Sequence, residues 1–534
     1  GDFYVLYNGT AIGVIDGTFN GSAGHLLVTF NSDSTPEAAE ALAQAIAFTN
    51  DKVIPDTTDR EITFTIDDGD GGLATEVVTV ELLLEGGLVR NDHNQGTDTD
   101  WFTAANWTQG VLPDATMVAI INGPAATTFN SGGANETIAK LLLNNDLDVT
   151  AGTLNVNGTS EVDAGSFLTI GGGTVQGTGS LNVKGAVDLT GGATLGMASV
   201  TIDADDAIGY SAGMSVTGSG NQIAGDLTIE TDSTETGTLT VGGAGSIAAA
   251  DLTVTGTVIN QGDILIDNYA SGGVASTLTV TSGTLTNVGL LQFLDTSTFG
   301  GARVFVGEID NQGGTVQASV DATITNTGTF NLSTGTLTVD GTSTLTIDGG
   351  TTVIGTGTNL TDNTGAKIDF TGAAILALDS DTGIVATDPT IAFGGQSDAV
   401  TVTTVDTGPY AFDIDTGALL TLSGNDVFDT TVDVNVAGSL EAEGAGNAVN
   451  GGLYISGTGE LAVLGYDGGG DATLTIAQGF VNDGVIRLNN EGPAAHDTTL
   501  TVTSGAIDNF GTIVIEDTSA AGGLRTLSSD INNS

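Results

Sequence analysis

Short runs of alternating apolar and polar residues recur along most of this chain. Examples are Leu278-Thr279-Val280 and Ile264-Leu265-Ile266. Such alternation buries one side of a β-strand, and Val, Ile and Thr suit a pleated, half-buried surface. Asn-x-Gly turns punctuate the runs, at Asn260, Asn287, Asn326, Asn482 and Asn509. Asn and Gly tolerate the positive φ that a sharp corner needs.

The pattern is duplicated. Residues 258–312 align without a gap to 480–534 at a constant offset of 222. Roughly 20 of about 55 positions are identical, which is a repeat and not shared composition. Asn260, Asn287, Asn311 and Arg303 fall on Asn482, Asn509, Asn533 and Arg525. A weaker echo at offset 226 relates Gly220-Asn221 to Gly446-Asn447. One coil cannot bury its own apolar face, but stacked coils can. The expected fold is therefore all-β: an N-terminal β-sandwich with one short helix, then a long parallel β-helix, or β-solenoid. Asn residues at matching corners would form a hydrogen-bonded ladder. An antiparallel β-sandwich array is the competing architecture, since Gly-rich turns about every ten residues fit it too.

Three regions are expected. Residues 1–86 carry strand-like runs at 3–7, 11–15, 26–30, 61–66 and 76–82, and one helix after Thr35-Pro36-Glu37. Thr35 can cap that helix, Pro36 suits its first turn and Glu37 its positive end. Ala38, Ala41, Leu42, Ala45 and Ile46 form an apolar stripe expected to be core. Residues 87–124 are a junction holding both tryptophans, Trp101 and Trp107. They are expected to cap the apolar cross-section of the stack, and a carbohydrate-stacking pair is the alternative. Residues 125–534 are the solenoid with its tandem duplication.

The string HLLVTFNSDSTPEAAEALAQAIAFTN, followed by REITFTIDDGDGG, resembles the cadherin-like repeats of very large bacterial surface adhesins. The resemblance covers about the first 85 residues. It implies an extracellular β-sandwich module, commonly stiffened by calcium, in a long tandem array. The segment from Trp101 through Asn106-Trp107 to Pro113 is similar to the start of β-helical regions in autotransporter-like and filamentous adhesins.

Charge and composition narrow the functional classes. Nine basic residues face 65 acidic ones, a formal net charge of −56. That excess opposes nucleic acid and anionic membrane surfaces and attracts divalent cations. Cysteine is absent, which removes disulfides, thiol catalysis and Cys-based zinc sites. No run is apolar enough to span a bilayer. No signal peptide opens the chain, and both ends read as cut, so a segment of a longer secreted protein is expected.

Asp67, Asp68 and Asp70, on a Gly turn, are the candidate metal ligands, with Ca²⁺ as the ion. A solvated β-turn is the plainer reading. Two carboxylates suffice for a glycosidase, but among 65 acids a pair is inevitable and decides nothing. Arg303 and Arg525, as repeat equivalents, fit a repeated structural role. His25, His93 and His496 are far apart in sequence and form no evident constellation. No catalytic residue is assigned. The expected role is a non-enzymatic stalk of a cell-surface adhesin or extracellular fibre. Its partners would be neighbouring domains of the same long chain, further copies in a fibre, or a surface glycan or protein. A β-helical polysaccharide-active enzyme or tailspike-like glycan-binding protein is the alternative.

Overall fold

The computed structural model describes residues 3–20, 25–46, 60–67, 70–80, 88–94, 98–204, 212–232, 235–242, 248–268, 273–297, 299–354, 359–362, 366–378, 382–384, 390–393, 400–404, 410–414, 416–466, 470–519 and 521–534. The chain divides into two units, residues 1–87 and 88–534.

In the first unit, β1 (Phe3–Tyr7) pairs antiparallel with β2 (Thr10–Asn20), and β2 pairs with β3 (Leu26–Phe30). β4 (Arg60–Asp67) and β5 (Leu73–Val80) form an antiparallel hairpin. The helix α1 (Pro36–Ala45) starts as expected: the Thr35 hydroxyl accepts the Ala38 N–H at 3.2 Å. Its apolar stripe is only partly covered. Ala38 is buried and Ala41 and Leu42 are half-buried, whereas Ala45 and Ile46 are exposed among the described residues. Small side chains give this helix little area to bury, which is why the stripe is a weaker core than its periodicity suggests.

The second unit is a parallel β-solenoid with three faces. Face 1 begins with Val89–His93, which pairs with Met117–Ile121 and then with Lys140–Leu143. Face 2 climbs through Leu147, Leu168 and Val187. Face 3 climbs through Leu154, Val175 and Leu195. Each turn passes faces 1, 2 and 3 in order, and all these pairings are parallel. An antiparallel array is excluded for this unit. The inward columns are Val, Leu, Ile and Phe, almost all fully buried in one continuous core. The outward columns are Thr, Asn, Asp and Glu. The period-2 alternation of the sequence thus becomes an inside and an outside.

The asparagine ladder is present in both copies. Asn260 donates to Asn287 at 2.7 Å, and Asn287 to Asn311 at 2.7 Å. Asn482 donates to Asn509 at 2.7 Å, and Asn509 to Asn533 at 2.7 Å. Asn326 does not join. It sits at another corner, where its amide meets the Thr351 carbonyl at 3.1 Å. The glycines that follow Asn287 and Asn509 are needed for room and not for positive φ. A Cβ on Gly289 would lie 2.1 Å from the Gly262 carbonyl oxygen, and one on Gly511 lies as close, 2.1 Å, to that of Gly484.

Candidate functional site

Four features of the solenoid have chemistry beyond core packing. The first is its start. Trp101 and Trp107 are 0 % and 2 % exposed and pack edge to face at 4.7 Å. Phe129 lies 5.4 Å from Trp101, and the His93 ring 5.0 Å from Trp107. The Trp107 indole N–H donates to the Trp101 carbonyl at 2.8 Å. With both rings inside the core, neither offers a face to a sugar. His93 is buried as well, with Nδ1 3.0 Å from the Thr127 hydroxyl and Nε2 3.3 Å from the Asp100 carbonyl. Burial holds its pKa below the ordinary imidazole value.

The second feature is a pair of arginine-clamped loops. Arg303, 2 % exposed, lies 2.9 Å from the Asp295 carboxylate. Its Nε donates to the Leu294 carbonyl at 2.6 Å. Asp295 also accepts the Gly300 N–H at 2.8 Å and the Ser297 hydroxyl at 2.9 Å, so one carboxylate ties both limbs of the loop. The second copy repeats every bond. Arg525 meets Asp517 at 3.0 Å and the Glu516 carbonyl at 3.0 Å. Asp517 accepts Gly522 N–H at 2.9 Å and Ser519 at 3.0 Å. The expectation of a repeated structural role for these arginines matches this geometry.

The third feature was not read from the sequence. Glu441 and Glu443 occupy alternate outward positions of the face-3 strand Ser439–Glu443. Glu460 lies on the next strand of that face and Arg487 on the one after. Arg487 bridges Glu460 at 2.5 Å and Glu516, so those two carboxylates have a fixed cation. Glu441 has none. Its burial, with the charges of Glu443, Glu491 and Glu460 around it, pushes its pKa up to about 7. Glu443 is raised too, mainly by burial, while a hydrogen bond from Tyr466 opposes the rise. Nearby, the outward-facing Ala462 and Leu464 are only 2 % and 6 % exposed. A sequence signal existed in the Glu-x-Glu spacing at strand period, but the partners come from strands 17 to 50 residues away.

The fourth is a set of buried polar atoms without partners. They include Oδ1 of Asn260 and of Asn482, the first rung of each ladder, and the Thr352 hydroxyl. Thr352 points into an apolar void lined by Leu337, Ile347, Ile354, Phe370 and Leu376.

The expected metal site is only partly described. Asp67 ends β4 and pairs with Leu73, and Asp67 and Asp70 are both exposed. Asp68 lies outside the described residues. Among the described residues no three His, Asp or Glu side chains converge to hold a metal ion. Asp67 and Asp70 offer two carboxylates where Ca²⁺ takes six to eight oxygens, so the fit of the ion is not established by this turn. In the first unit His25 is exposed; in the second, His93 lies in the Trp cluster and His496 sits 3.9 Å from Asp471. Among the described residues no helix is long and apolar enough to cross a membrane. No family model, curated protein or solved structure matches the chain.

Proposed function

We propose that the chain is a structural, non-enzymatic segment of a secreted bacterial cell-surface adhesin or extracellular fibre, in which the solenoid acts as a stiff stalk. The observation that carries this reading is the parallel pairing of strands on three faces around a single apolar core. Backbone bonds hold each coil to the next, and in the two repeated blocks Asn ladders and clamped corners add to them, which resists bending and local unfolding. The acidic surface keeps neighbouring stalks apart. The first unit, on its resemblance, would be a cadherin-like module, with Ca²⁺ at the Asp67–Asp70 turn adding stiffness. Partners would be further domains of the same long protein, other copies in a fibre, or a surface glycan or protein. Electron microscopy of the purified chain, with calcium and then with chelator, tests it. Isolated rods on the order of 90 Å long support the stalk, and continuous fibres support the filament variant. Compact globules or three-fold spikes would sink both. Titration calorimetry with CaCl₂ on the chain and on Asp67→Asn tests the ion separately.

A second reading, a β-helical polysaccharide-active or glycan-binding protein, is favoured by one observation. Glu441, its pKa pushed up to about 7 by burial, lies near the arginine-paired carboxylate of Glu460, and two carboxylates of which one is held protonated suit acid catalysis. New reducing ends released from neutral polysaccharides by the chain, but not by Glu441→Gln, would favour this reading over the stalk.

A further inference from the structure

Phe293, Phe305, Phe330, Phe412 and Phe428 point into the solenoid and are fully buried. Four rings of the second unit are exposed among the described residues: Phe167, Phe299, Tyr454 and Phe510. Phe167 and Phe299 lie on rungs well apart. Tyr454 and Phe510 share one corner of the stack.

That corner carries the second Asn ladder. Tyr454 is the outward residue of the face-2 strand Leu453–Ile455, and Asn482 pairs with Ile455 one rung above. Asp483 and Phe510 are the middle residues of two Asn-x-Gly turns. Backbone bonds stack them: the Asp483 N–H donates to the Ile455 carbonyl at 2.9 Å, and the Phe510 N–H to the Asn482 carbonyl at 2.8 Å. Tyr454, Asp483 and Phe510 thus climb the corner over two rungs, about 10 Å along the axis. The Tyr454 hydroxyl donates to Oδ2 of Asp483 at 2.7 Å, which fixes the ring across the boundary between rungs. Tyr454 is 40 % and Phe510 59 % exposed, and Asp483 is exposed between them. Val481, half-buried, stands directly above Tyr454.

The first copy of the duplication shows what such a corner needs without these side chains. Its ladder follows face 1, where Asn260 ends a strand, whereas Asn482 ends a face-2 strand, so the two copies are one strand out of phase. The ladder bonds are nonetheless the same, 2.7 Å in each copy. The positions equivalent to Tyr454, Asp483 and Phe510 are Thr228, Gln261 and Val288. Thr228 stands below Ile259 as Tyr454 stands below Val481. The ladder corner therefore forms with neither ring and without the carboxylate, and folding does not account for them.

We propose that this strip binds a neutral polysaccharide, its chain laid along the axis of the stack. Aromatic rings offer flat apolar faces to the C–H faces of pyranose rings, and a few polar groups beside them fix the hydroxyls. Two rungs, about 10 Å, match the length of a disaccharide in an extended chain. Asp483 spends Oδ2 on Tyr454 and leaves Oδ1 for a hydroxyl of the sugar between the rings. The net charge of −56 repels an acidic polysaccharide and favours an uncharged one. A protein partner needs about 800 Å² on each side, whereas here a carboxylate interrupts a narrow strip. The strip adjoins face 3, where Glu460 opens the next strand, but binding at the strip requires no catalysis there. The inference rests on the glycan partner named for the stalk and gives that partner a place.

Affinity electrophoresis of the whole chain tests it. Native gels would contain galactomannan, xyloglucan, mixed-linkage β-glucan or dextran as neutral probes, and alginate as the acidic one. Retardation in at least one neutral gel, with apparent affinity about tenfold weaker in Tyr454→Ala and in Phe510→Ala, supports the proposal. Val288→Ala, at the equivalent place in the first copy, should migrate like the parent. Both rings lie outside the core, so the variants should keep the parent's melting temperature. Retardation in none of the gels, in alginate alone, or to the same extent in the parent and both ring variants overturns it. Rods in the microscope without retardation remove the strip and leave the stalk; globules remove the stalk whatever the gels show.

Discussion

The amide of Asn287 donates to Oδ1 of Asn311 at 2.7 Å while its own Oδ1 accepts from Asn260 at 2.7 Å, with all three residues fully buried. Replacing Asn287 by Ala takes the donor from Oδ1 of Asn311 and one of two acceptors from the Asn260 amide, which keeps the Leu290 carbonyl at 2.9 Å. The expected cost is about 2–4 kcal/mol, read from the urea midpoint of the solenoid. Asn533→Ala, at the exposed end of the other ladder, should cost well under half of that. Equal costs would mean that the ladder acts by something other than buried hydrogen bonding.

Arg303 and Arg525 make the same bonds but differ in surroundings. The Arg303 side chain is 2 % exposed and that of Arg525 7 %, with partners Asp295 at 12 % and Asp517 at 28 %. Arg303→Met strands a shielded carboxylate, with an expected loss of about 3 kcal/mol. Arg525→Met should lose less, because water reaches Asp517. Limited proteolysis would show cleavage between 294 and 302 in the first variant. Lys at 303 should not rescue it, since a single ammonium cannot span carboxylate and carbonyls together.

Thr352 is a polar residue in an apolar column, between Phe330 and Leu376 on face 1. Its hydroxyl has no partner and borders a void. Thr352→Val should stabilise the solenoid by about 1 kcal/mol, seen as a rise in melting temperature. A fall would mean that the hydroxyl is bonded after all.

The pH dependence of stability should carry a signature of Glu441. Its folded pKa, about 7, lies above its ordinary value of 4.5. Between those values the folded chain holds a proton that the unfolded chain releases, so this group makes stability fall as pH rises from about 4.5 to 7. Glu441→Gln should flatten the fall in that window. His93 acts in the opposite sense. Its pKa is depressed, so its contribution is present above the ordinary imidazole pKa and is lost on acidification through the folded value. His93→Gln should reduce acid sensitivity, as followed by tryptophan fluorescence of the Trp101–Trp107 pair.

Architecture was the legible part. Leu278 and Leu500, Asn260 and Asn482 disclosed a stack because a repeated coil must repeat its inward and corner residues. The phase of the repeat was not legible. An offset of 222 residues says nothing about how many belong to corners, and corners here differ in length, with two residues between Asn287 and Leu290 and nine between Phe293 and Arg303. The carboxylate patch escaped for a related reason. Glu441 meets Glu491 only because two full turns intervene, and their spacing in sequence depends on corner lengths. The Asn326 corner shows the reverse error, in which the same Asn-x-Gly wording serves a different corner. The Trp pair, by contrast, could be placed at the start of the stack, since aromatics this large have few other uses in a core of Val, Leu and Ile.

Every strand of the solenoid pairs with strands one turn away, as Leu278 does with Leu252 and Phe305. Among the described residues no strand waits for a distant end of the chain. Loop-closure entropy is then nearly the same for each coil, and growth from any formed pair proceeds coil by coil in either direction. A chain of this kind can begin to fold while it is still being made or threaded through a narrow channel. Each coil that forms outside the channel opposes backward sliding, so folding itself can act as a ratchet.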